Sequence, residues 1–205
     1  MSEVGAVILA AGRSARFRAE GGREISKLVA LLDGRPLVRH VAEAALASRA
    51  RPVVVVTGHA REAVEAALAG LPVLFVDNAE FATGVASSLK AGVAALPGEV
   101  AGALVLLGDM PAVEAATLDR LIDAFAARPL ALAAAPVHAG RRGNPVLLSR
   151  ALLPALARLT GDEGARRLLR EADPLGVVEL EVESDSVTLD IDTPRELVAA
   201  RNLRQ

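Results

Sequence analysis

The apolar residues of this chain fall into two spacings that alternate along most of its length. Short uninterrupted runs (Val7-Ile8-Leu9-Ala10-Ala11, Val53 to Val56, Val73 to Val76 and Ala103 to Leu107) have the length and composition of strands buried on both faces. Between them lie stretches with helical spacing: Leu37, Val38, Val41 and Ala45, then Arg61 to Leu68, then Val85, Leu89, Val93 and Leu96. Local signals agree with these boundaries. Asp33-Gly34 marks a turn, Pro36 suits the first turn of the helix that follows, and Thr83-Gly84 opens the third helical stretch. A further helix is expected from about Glu114 to Ala126. Strand and helix taking turns predicts an α/β fold with a mainly parallel sheet covered on both faces.

After Ala126 the alternation changes. Ala131 to Val137 and Asn144 to Leu148 read as two strands joined by the polar His138-Ala139-Gly140-Arg141-Arg142-Gly143, which suggests a small hairpin-like excursion at the sheet's edge. Ser149 to Leu159 reads as a helix, and Thr160-Gly161-Asp162-Glu163 as a capping box for another that ends near Glu171. Val177 to Val182 and Val187 to Ile191 are expected to be short strands. In Asp190-Ile191-Asp192-Thr193-Pro194-Arg195-Glu196, Thr193 suits the N-cap, Pro194 the first helical position and Glu196 the capping-box partner. Asp192 then stands at a strand-to-helix junction.

Composition narrows the possible chemistry. The 205 residues suit one domain, 1–205, and 52% are hydrophobic, with four Phe and no Trp or Tyr, so the core is aliphatic and aromatic platforms for stacking bases are lacking. The formal net charge is −2 with acids and bases intermingled, which argues against a nucleic-acid partner. The absence of cysteine removes disulfides, thiolate metal sites and thiol nucleophiles together, and is compatible with a reducing compartment. No signal-type segment opens the chain and no apolar run reaches the roughly 18 residues of a membrane span, so a soluble, cytoplasmic chain with no membrane partner is expected.

The first strand carries the strongest chemical signal. It stops at Gly12 and gives way to Arg13-Ser14-Ala15-Arg16 and later Lys27, a strand exit that presents backbone N–H groups and separated cations to a polyphosphate. The P-loop pattern and GxGxxG are both absent, and the strand at Val53 to Val56 runs into Thr57-Gly58 without a ribose-binding acid, which argues against dinucleotide binding. Asp109, in Gly108-Asp109-Met110-Pro111, follows the Ala103 to Leu107 strand, and Asp192 follows the last apolar run. Two carboxylates at one sheet edge suit Mg²⁺, which takes its remaining ligands from water and substrate phosphates. Helix capping accounts for either aspartate equally well, and solvated surface charge is the ordinary fate of an Arg or Lys.

Other polar residues are weaker candidates. His40 reads as helix surface and His59 as a loop residue, and with His138 they form no metal-ligand spacing. No GxSxG elbow is present; Ser87 and Ser88 sit at a helix start, where their hydroxyls cap the helix or meet a base or phosphate. Asn144, between Gly143 and Pro145, is a turn residue or an amide that reads a ligand.

Six stretches in order resemble one family, the MobA-like nucleotidyltransferases, and within it most closely the molybdenum cofactor cytidylyltransferase group. Leu9-Ala10-Ala11-Gly12-Arg13-Ser14-Ala15-Arg16-Phe17 followed by Lys27-Leu28 is similar to its LAAGxSxR loop and lysine, Gly108-Asp109-Met110-Pro111 to its GDMP, and Asp190-Ile191-Asp192-Thr193-Pro194 to its closing DIDTP. Gly84 to Leu89, Arg142-Gly143-Asn144-Pro145-Val146 and Gly161 to Arg166 are fainter echoes. The chain departs from the pattern where Arg18 stands at a usual glycine and residues 19–26 separate it from Lys27.

The resemblance implies a Rossmann-like three-layer sandwich with a mostly parallel mixed sheet. It implies transfer of CMP from CTP to the terminal phosphate of a molybdopterin-type cofactor, with pyrophosphate released and Mg²⁺, or Mn²⁺, as the metal. Carried over by residue, the backbone of Leu9, Ala10, Ala11 and Gly12, with Arg13 and Ser88, would hold the nucleotide. Arg16 and Lys27 would act on the triphosphate, Asp109 and Asp192 would hold the metal, and Gly143 and Asn144 would face the acceptor. GTP in place of CTP, another phosphorylated acceptor, and delivery to an acceptor molybdoenzyme or its chaperone belong to the same implication. Two rivals from other classes are an NAD(P)H-dependent oxidoreductase on the same fold, which should bind NADH without metal, and a non-catalytic cofactor chaperone, which should tolerate loss of Asp109.

Overall fold

The computed structural model describes residues 3–171 and 176–202. Strand β1 (Val4–Leu9) leads into helix α1 (Ala15–Ala19), a 3-10 turn at Lys27–Val29, and a ribbon of β2 (Leu31–Leu32) and β3 (Arg35–Pro36). Then come α2 (Leu37–Ala47), β4 (Val53–Thr57), α3 (Arg61–Ala67), β5 (Leu74–Asp77), α4 (Val85–Ala94), β6 (Gly102–Leu107) and α5 (Ala115–Ala126). The remainder supplies β7 (Ala133–His138), β8 (Arg141–Arg142), β9 (Val146–Ser149), α6 (Ala165–Glu171), β10 (Val177–Glu181) and α7 (Pro194–Asn202).

The main sheet runs β10-β7-β9-β6-β1-β4-β5, with β8 paired to the end of β7. Strands β5, β4, β1 and β6 are mutually parallel, and β9 runs against both β6 and β7 while β10 follows β7. The result is the expected α/β class with a mostly parallel mixed sheet. Its two faces are both dry. Ala6 and Ile8 of β1 share a core with Val38, Val41 and Ala45 of α2 and with Leu118 and Leu121 of α5. Val7 points the other way, into a cluster with Val54 and Val56, and Val105 does the same beneath Leu89 of α4. An uninterrupted apolar run is what a strand needs when successive side chains meet helices on opposite faces. Burying each Val, Leu or Ile fully contributes about 1.5–3 kcal/mol.

Several local expectations are revised. The excursion at the end of β7 is the two-residue β8, while β9 is more central than the sequence suggests. It lies between β6 and β7, and with Val146, Leu147 and Leu148 all fully buried it needs cover on both faces. Val187 to Ile191 is not a strand. After a 3-10 turn at Asp185–Val187 its backbone groups are taken by loops, Val187 C=O by the Asn144 N–H (2.8 Å) and Ile191 N–H by the Asp109 C=O (3.0 Å), so no ladder forms. Asp192 therefore stands at a coil-to-helix junction. Residues 150–158 form 3-10 turns in place of an α-helix, with Pro154 inside lacking the N–H that an α-helix requires. Thr160 and Glu163 close a local turn, the Thr160 N–H donating to the Glu163 carboxylate at 2.8 Å, but α6 starts only at Ala165. Pro36 lies just before α2, at its cap position. His40 is buried, its Nε2 2.9 Å from the Leu32 C=O, and is not on the helix surface. Among the described residues no helix is long and apolar enough to cross a membrane.

Candidate active site

Lys27 is the centre of a charged cluster at the carboxyl end of the parallel strands. Its Nζ lies 2.6 Å from Asp109 Oδ2 and 2.5 Å from Asp192 Oδ1, so one ammonium touches both aspartates. Arg16 pairs with the other oxygen of Asp192. The Lys27 side chain is 12% exposed and that of Arg16 67%, which makes Lys27 the interior cation and Arg16 the rim cation.

Three local devices bring these residues together. Asp109 follows β6 directly, and its carbonyl accepts the Ile191 N–H, which ties the two aspartate loops backbone to backbone. Phe17, Ala30, Leu32, Leu37, Ile191 and Leu197 form a small apolar cluster, so the neighbours of Arg16 and Asp192 are packed against each other. The third device closes the segment between α1 and Lys27. Ser14 Oγ accepts the Lys27 N–H at 3.0 Å and lies 3.1 Å from Ser26 Oγ, and Ser26 caps the 3-10 turn by accepting the Leu28 N–H at 3.3 Å. Residues 18–26 are thereby returned to the site despite their departure from the family pattern. Asp192 is held on the α7 side by the capping box. Glu196 accepts the N–H groups of Asp192 (2.7 Å) and Thr193 (2.9 Å), and Thr193 Oγ1 accepts the Glu196 N–H (3.2 Å).

The same geometry sets the charge states. Burial pushes the Asp109 carboxyl up, and the adjacent Lys27 ammonium offsets only part of this. Burial also acts on Asp192, but the Lys27 hydrogen bond and the charges of Lys27 and Arg16 outweigh it and hold that carboxyl below the usual range. Desolvation lowers Lys27, yet the charge of Asp109 and hydrogen bonds to both aspartates exceed it, so its pKa is raised. Asp109 Oδ1 is buried with no hydrogen-bond partner, an acceptor left without a donor in a polar site.

Beside this cluster opens a cavity of about 400 Å³ lined by Leu9, Ala11, Gly12, Arg13, Phe81, Ser88 and Asp109 among others. A Cβ built at Gly12 meets nothing within 4 Å, and the residue needs no left-handed backbone, so no protein contact requires glycine there. At Gly84, where α4 begins, the reverse holds. Its φ is +114° and a Cβ would fall 2.2 Å from the Gly161 carbonyl, while Ala86 N–H donates to that carbonyl oxygen at 3.0 Å. The hydroxyls of Ser87 and Ser88 do not cap α4. Asn78 Nδ2 donates to both, at 2.8 and 3.0 Å, which fixes the Ser88 oxygen at the cavity wall. A larger and more apolar cleft of about 740 Å³ lies at the amino end of the strands, among Val4, Ala101, Phe125 and Leu132, and holds none of the motif residues.

The structure thus brings together Leu9, Ala11, Gly12, Arg13, Ser88 and Asp109 around the cavity, with Lys27, Asp192 and Arg16 adjoining through Asp109. Ala10 is buried in the core beside them and does not line the cavity. Gly143 and Asn144 are likewise absent from its lining. Gly143 is constrained by its neighbour, a Cβ there falling 2.2 Å from the Val187 C=O, and its N–H donates to the Pro136 C=O at 2.8 Å. Sequence reasoning missed Ser14 and Ser26 as the clasp and Asn78 as the group that orders Ser87 and Ser88. Their spacings are not periodic, and only the fold makes them neighbours.

A family model for the MobA-like NTP transferase domain matches residues 6–175. The chain belongs to that family. Rv0371c from Mycobacterium tuberculosis H37Rv is 29% identical, with a TM-score of 0.83 over 98% of both chains, and a structure of that protein in complex with manganese gives 0.78 at 28% identity. A nucleotidyl transferase from Methanothermobacter thermautotroptrophicus, Mth528, gives a TM-score of 0.84 at 26% identity over 98% of both chains. Among curated relatives, the bifunctional protein GlmU of Acidovorax ebreus (strain TPSY) is 39% identical over 139 residues, 64% of this chain and 28% of that protein. The chain thus spans about a quarter to a third of the curated relatives it matches.

A divalent cation suits this MobA-like site. The orphaned Asp109 Oδ1 and the Asp192 carboxylate are hard oxygen donors, and no group of three or more His, Cys, Asp or Glu gathers among the described residues. Two carboxylates with room left for phosphate oxygens and water is the donor set Mg²⁺ or Mn²⁺ accepts.

Proposed function

We propose that this chain transfers CMP from CTP to the terminal phosphate of a molybdopterin-type cofactor, with Mg²⁺ held by Asp109 and Asp192, and releases pyrophosphate. The observation that carries the proposal is the meeting of the three motif loops at one ammonium: Lys27 touches both aspartates beside the cavity walled by Gly12, Arg13 and Ser88. The open space at Gly12 supports it further, because a strand exit without a side chain lets a nucleotide approach the backbone.

The residues divide the work. Leu9, Ala11, Gly12 and Ser88 position base and ribose, and Arg13 and Arg16 meet the phosphates from the rim. Lys27 neutralises charge on the triphosphate as the α–β bridge breaks. The acceptor's terminal phosphate is already anionic at neutral pH, so its oxygen attacks the α-phosphorus in line without a protein base. The new P–O bond forms as the bond to the β-phosphate oxygen breaks, and its electron pair leaves on pyrophosphate. When bound, a divalent cation supplies charge neutralisation of the phosphate oxygens. Rate enhancement then comes from alignment and preorganised charge. Gly143 and Asn144, on the loop into β9, are assigned to the acceptor side.

The test is product formation with each of the four NTPs, Mg²⁺ and molybdopterin. CMP transfer with CTP preferred is expected; turnover only with another NTP or another phosphorylated acceptor would replace the assigned substrates, and binding of NADH with hydride transfer would overturn the proposal. The likeness to GlmU makes a different phosphate-bearing acceptor the second reading, and a panel of sugar phosphates separates the two.

A further inference from the structure

The contact between Lys27 and both aspartates has a consequence for how a metal enters. Resting on the assignment of Asp109 and Asp192 as metal ligands, we infer that the Lys27 ammonium is a resident counter-cation, occupying the space between the two carboxylates that a divalent ion needs, so that metal and lysine compete and the incoming triphosphate decides between them.

Three observations carry this. Nζ lies 2.6 Å from Asp109 Oδ2 and 2.5 Å from Asp192 Oδ1, and Arg16 takes Asp192 Oδ2, so of the four carboxylate oxygens three already face a cation and Asp109 Oδ1 is left for a metal that needs both groups. Like charges at such separations repel strongly wherever water is scarce, and the Lys27 side chain is only 12% exposed. Next, the backbone of Lys27 is anchored by Ser14 Oγ and by the capped 3-10 turn, whereas the ion pairs of its ammonium among the described residues are those with the two aspartates. The ammonium is therefore free to swing without unfolding the loop. Finally, the paired side chains cancel as they stand: Lys27 and Arg16 match Asp109 and Asp192 in formal charge, so even with Asp190 acting on Asp109 the site draws a divalent ion far less strongly than the bare aspartates would until an anion takes the lysine away. A triphosphate is such an anion, and it brings further ligands for the metal.

Metal and nucleotide should then bind with positive coupling, each raising the affinity of the other by the same factor. Removing Lys27 should have opposite effects on the two ligands, tightening the metal and weakening the nucleotide.

The experiment titrates Mn²⁺ into the full chain and reads free ion by electron paramagnetic resonance, for wild type, Lys27→Met and Lys27→Arg, without nucleotide and with a non-hydrolysable CTP analogue. Thermal melts confirm that each variant is folded. Without nucleotide, Lys27→Met is expected to bind Mn²⁺ about tenfold or more tightly than wild type, the scale of one close charge pair, and Lys27→Arg to stay near wild type because it keeps the charge. The CTP analogue should bind Lys27→Met more weakly. Equal or weaker nucleotide-free Mn²⁺ binding by folded Lys27→Met overturns the inference while leaving the transferase proposal standing. If no variant binds Mn²⁺ with or without the analogue, the metal assignment and the inference both fail. Turnover measurements then judge the transferase separately.

Discussion

Gly12 and Gly84 border the same cavity but answer to different constraints, and that contrast separates a glycine the fold does not require from one it does. At Gly12 an added Cβ meets no protein atom within 4 Å and the backbone is not left-handed. Gly12→Ala should therefore leave stability unchanged or raise it by about 0.4–1 kcal/mol, since alanine has fewer unfolded conformations to lose. At Gly84 the φ of +114° lies outside what a side chain accepts, and the Cβ would overlap the Gly161 carbonyl at 2.2 Å, backbone that cannot rotate away. Strain of about 1–2 kcal/mol adds to overpacking of about 1–3 kcal/mol, so Gly84→Ala should destabilise by about 2–5 kcal/mol. The assay pairs urea unfolding of each variant with isothermal titration of CTP and Mg²⁺. Gly12→Ala should fold normally and bind CTP tenfold or more weakly, about 1.4 kcal/mol or more, because the new methyl fills space that a nucleotide needs. Normal CTP binding by Gly12→Ala would refute the view that the strand exit is open for a nucleotide, and a stable Gly84→Ala would refute the backbone argument.

Three further outcomes follow from the charged cluster and its supports. Asp109→Ala should keep its fold and lose turnover by about 10²-fold or more, the scale of one lost electrostatic contact in a transition state; activity near wild type would remove Asp109 from the chemistry. Because the Asp192 carboxyl is held below its ordinary pKa in the fold, the unfolded chain binds more protons in that window and stability rises with pH across it. Its contribution is thus complete above the ordinary aspartate range and is lost as pH falls through the folded value, so metal-free urea melts should show wild type losing its advantage over Asp192→Asn on acidification, and a pH-independent difference would contradict this. Thr193→Ala removes the N-cap acceptor of α7 and should cost about 0.5–2 kcal/mol in the same melts, and an unchanged midpoint would show that Glu196 alone secures the helix start.

The parallel half of the sheet is legible in the sequence because its strands are buried on both faces. Val53 to Val56 and Ala103 to Leu107 have no polar position to misplace, and the helices between them carry an apolar stripe of the right period. The second half is harder for a physical reason. Val187 to Ile191 has the composition of a strand, but its N–H and C=O groups are claimed by Asn144 and Asp109 on distant loops, and composition cannot report who the partners are. The site divides in the same way. Arg16, Lys27, Asp109 and Asp192 follow apolar runs or a glycine turn and are visible as chemistry, whereas the Ser14–Ser26 clasp depends on a closure across residues that carry no period.

The clasp also explains how an altered loop can coexist with an ordered centre. Residues 18–26 carry Glu20 and Glu24 in the segment between Arg16 and Lys27, and in the proposed transferase their negative charge would work against anion binding. The loop's two ends are nevertheless pinned within one hydrogen bond of each other, Phe17 is sealed in the small core with Ile191, and Gly22 N–H returns to the Phe17 C=O at 3.0 Å. Insertions between pinned ends cost little, since loop-closure entropy grows only with the logarithm of length. The same pinning fixes the backbone of Lys27 independently of what the loop contains. Variation in the loop can therefore occur without moving the ammonium that links Asp109 to Asp192. Replacing Glu20 and Glu24 together by Gln should raise affinity for the triphosphate at low ionic strength, with the gain shrinking as salt screens it; a gain that persists at high salt would place those side chains in direct contact with the ligand.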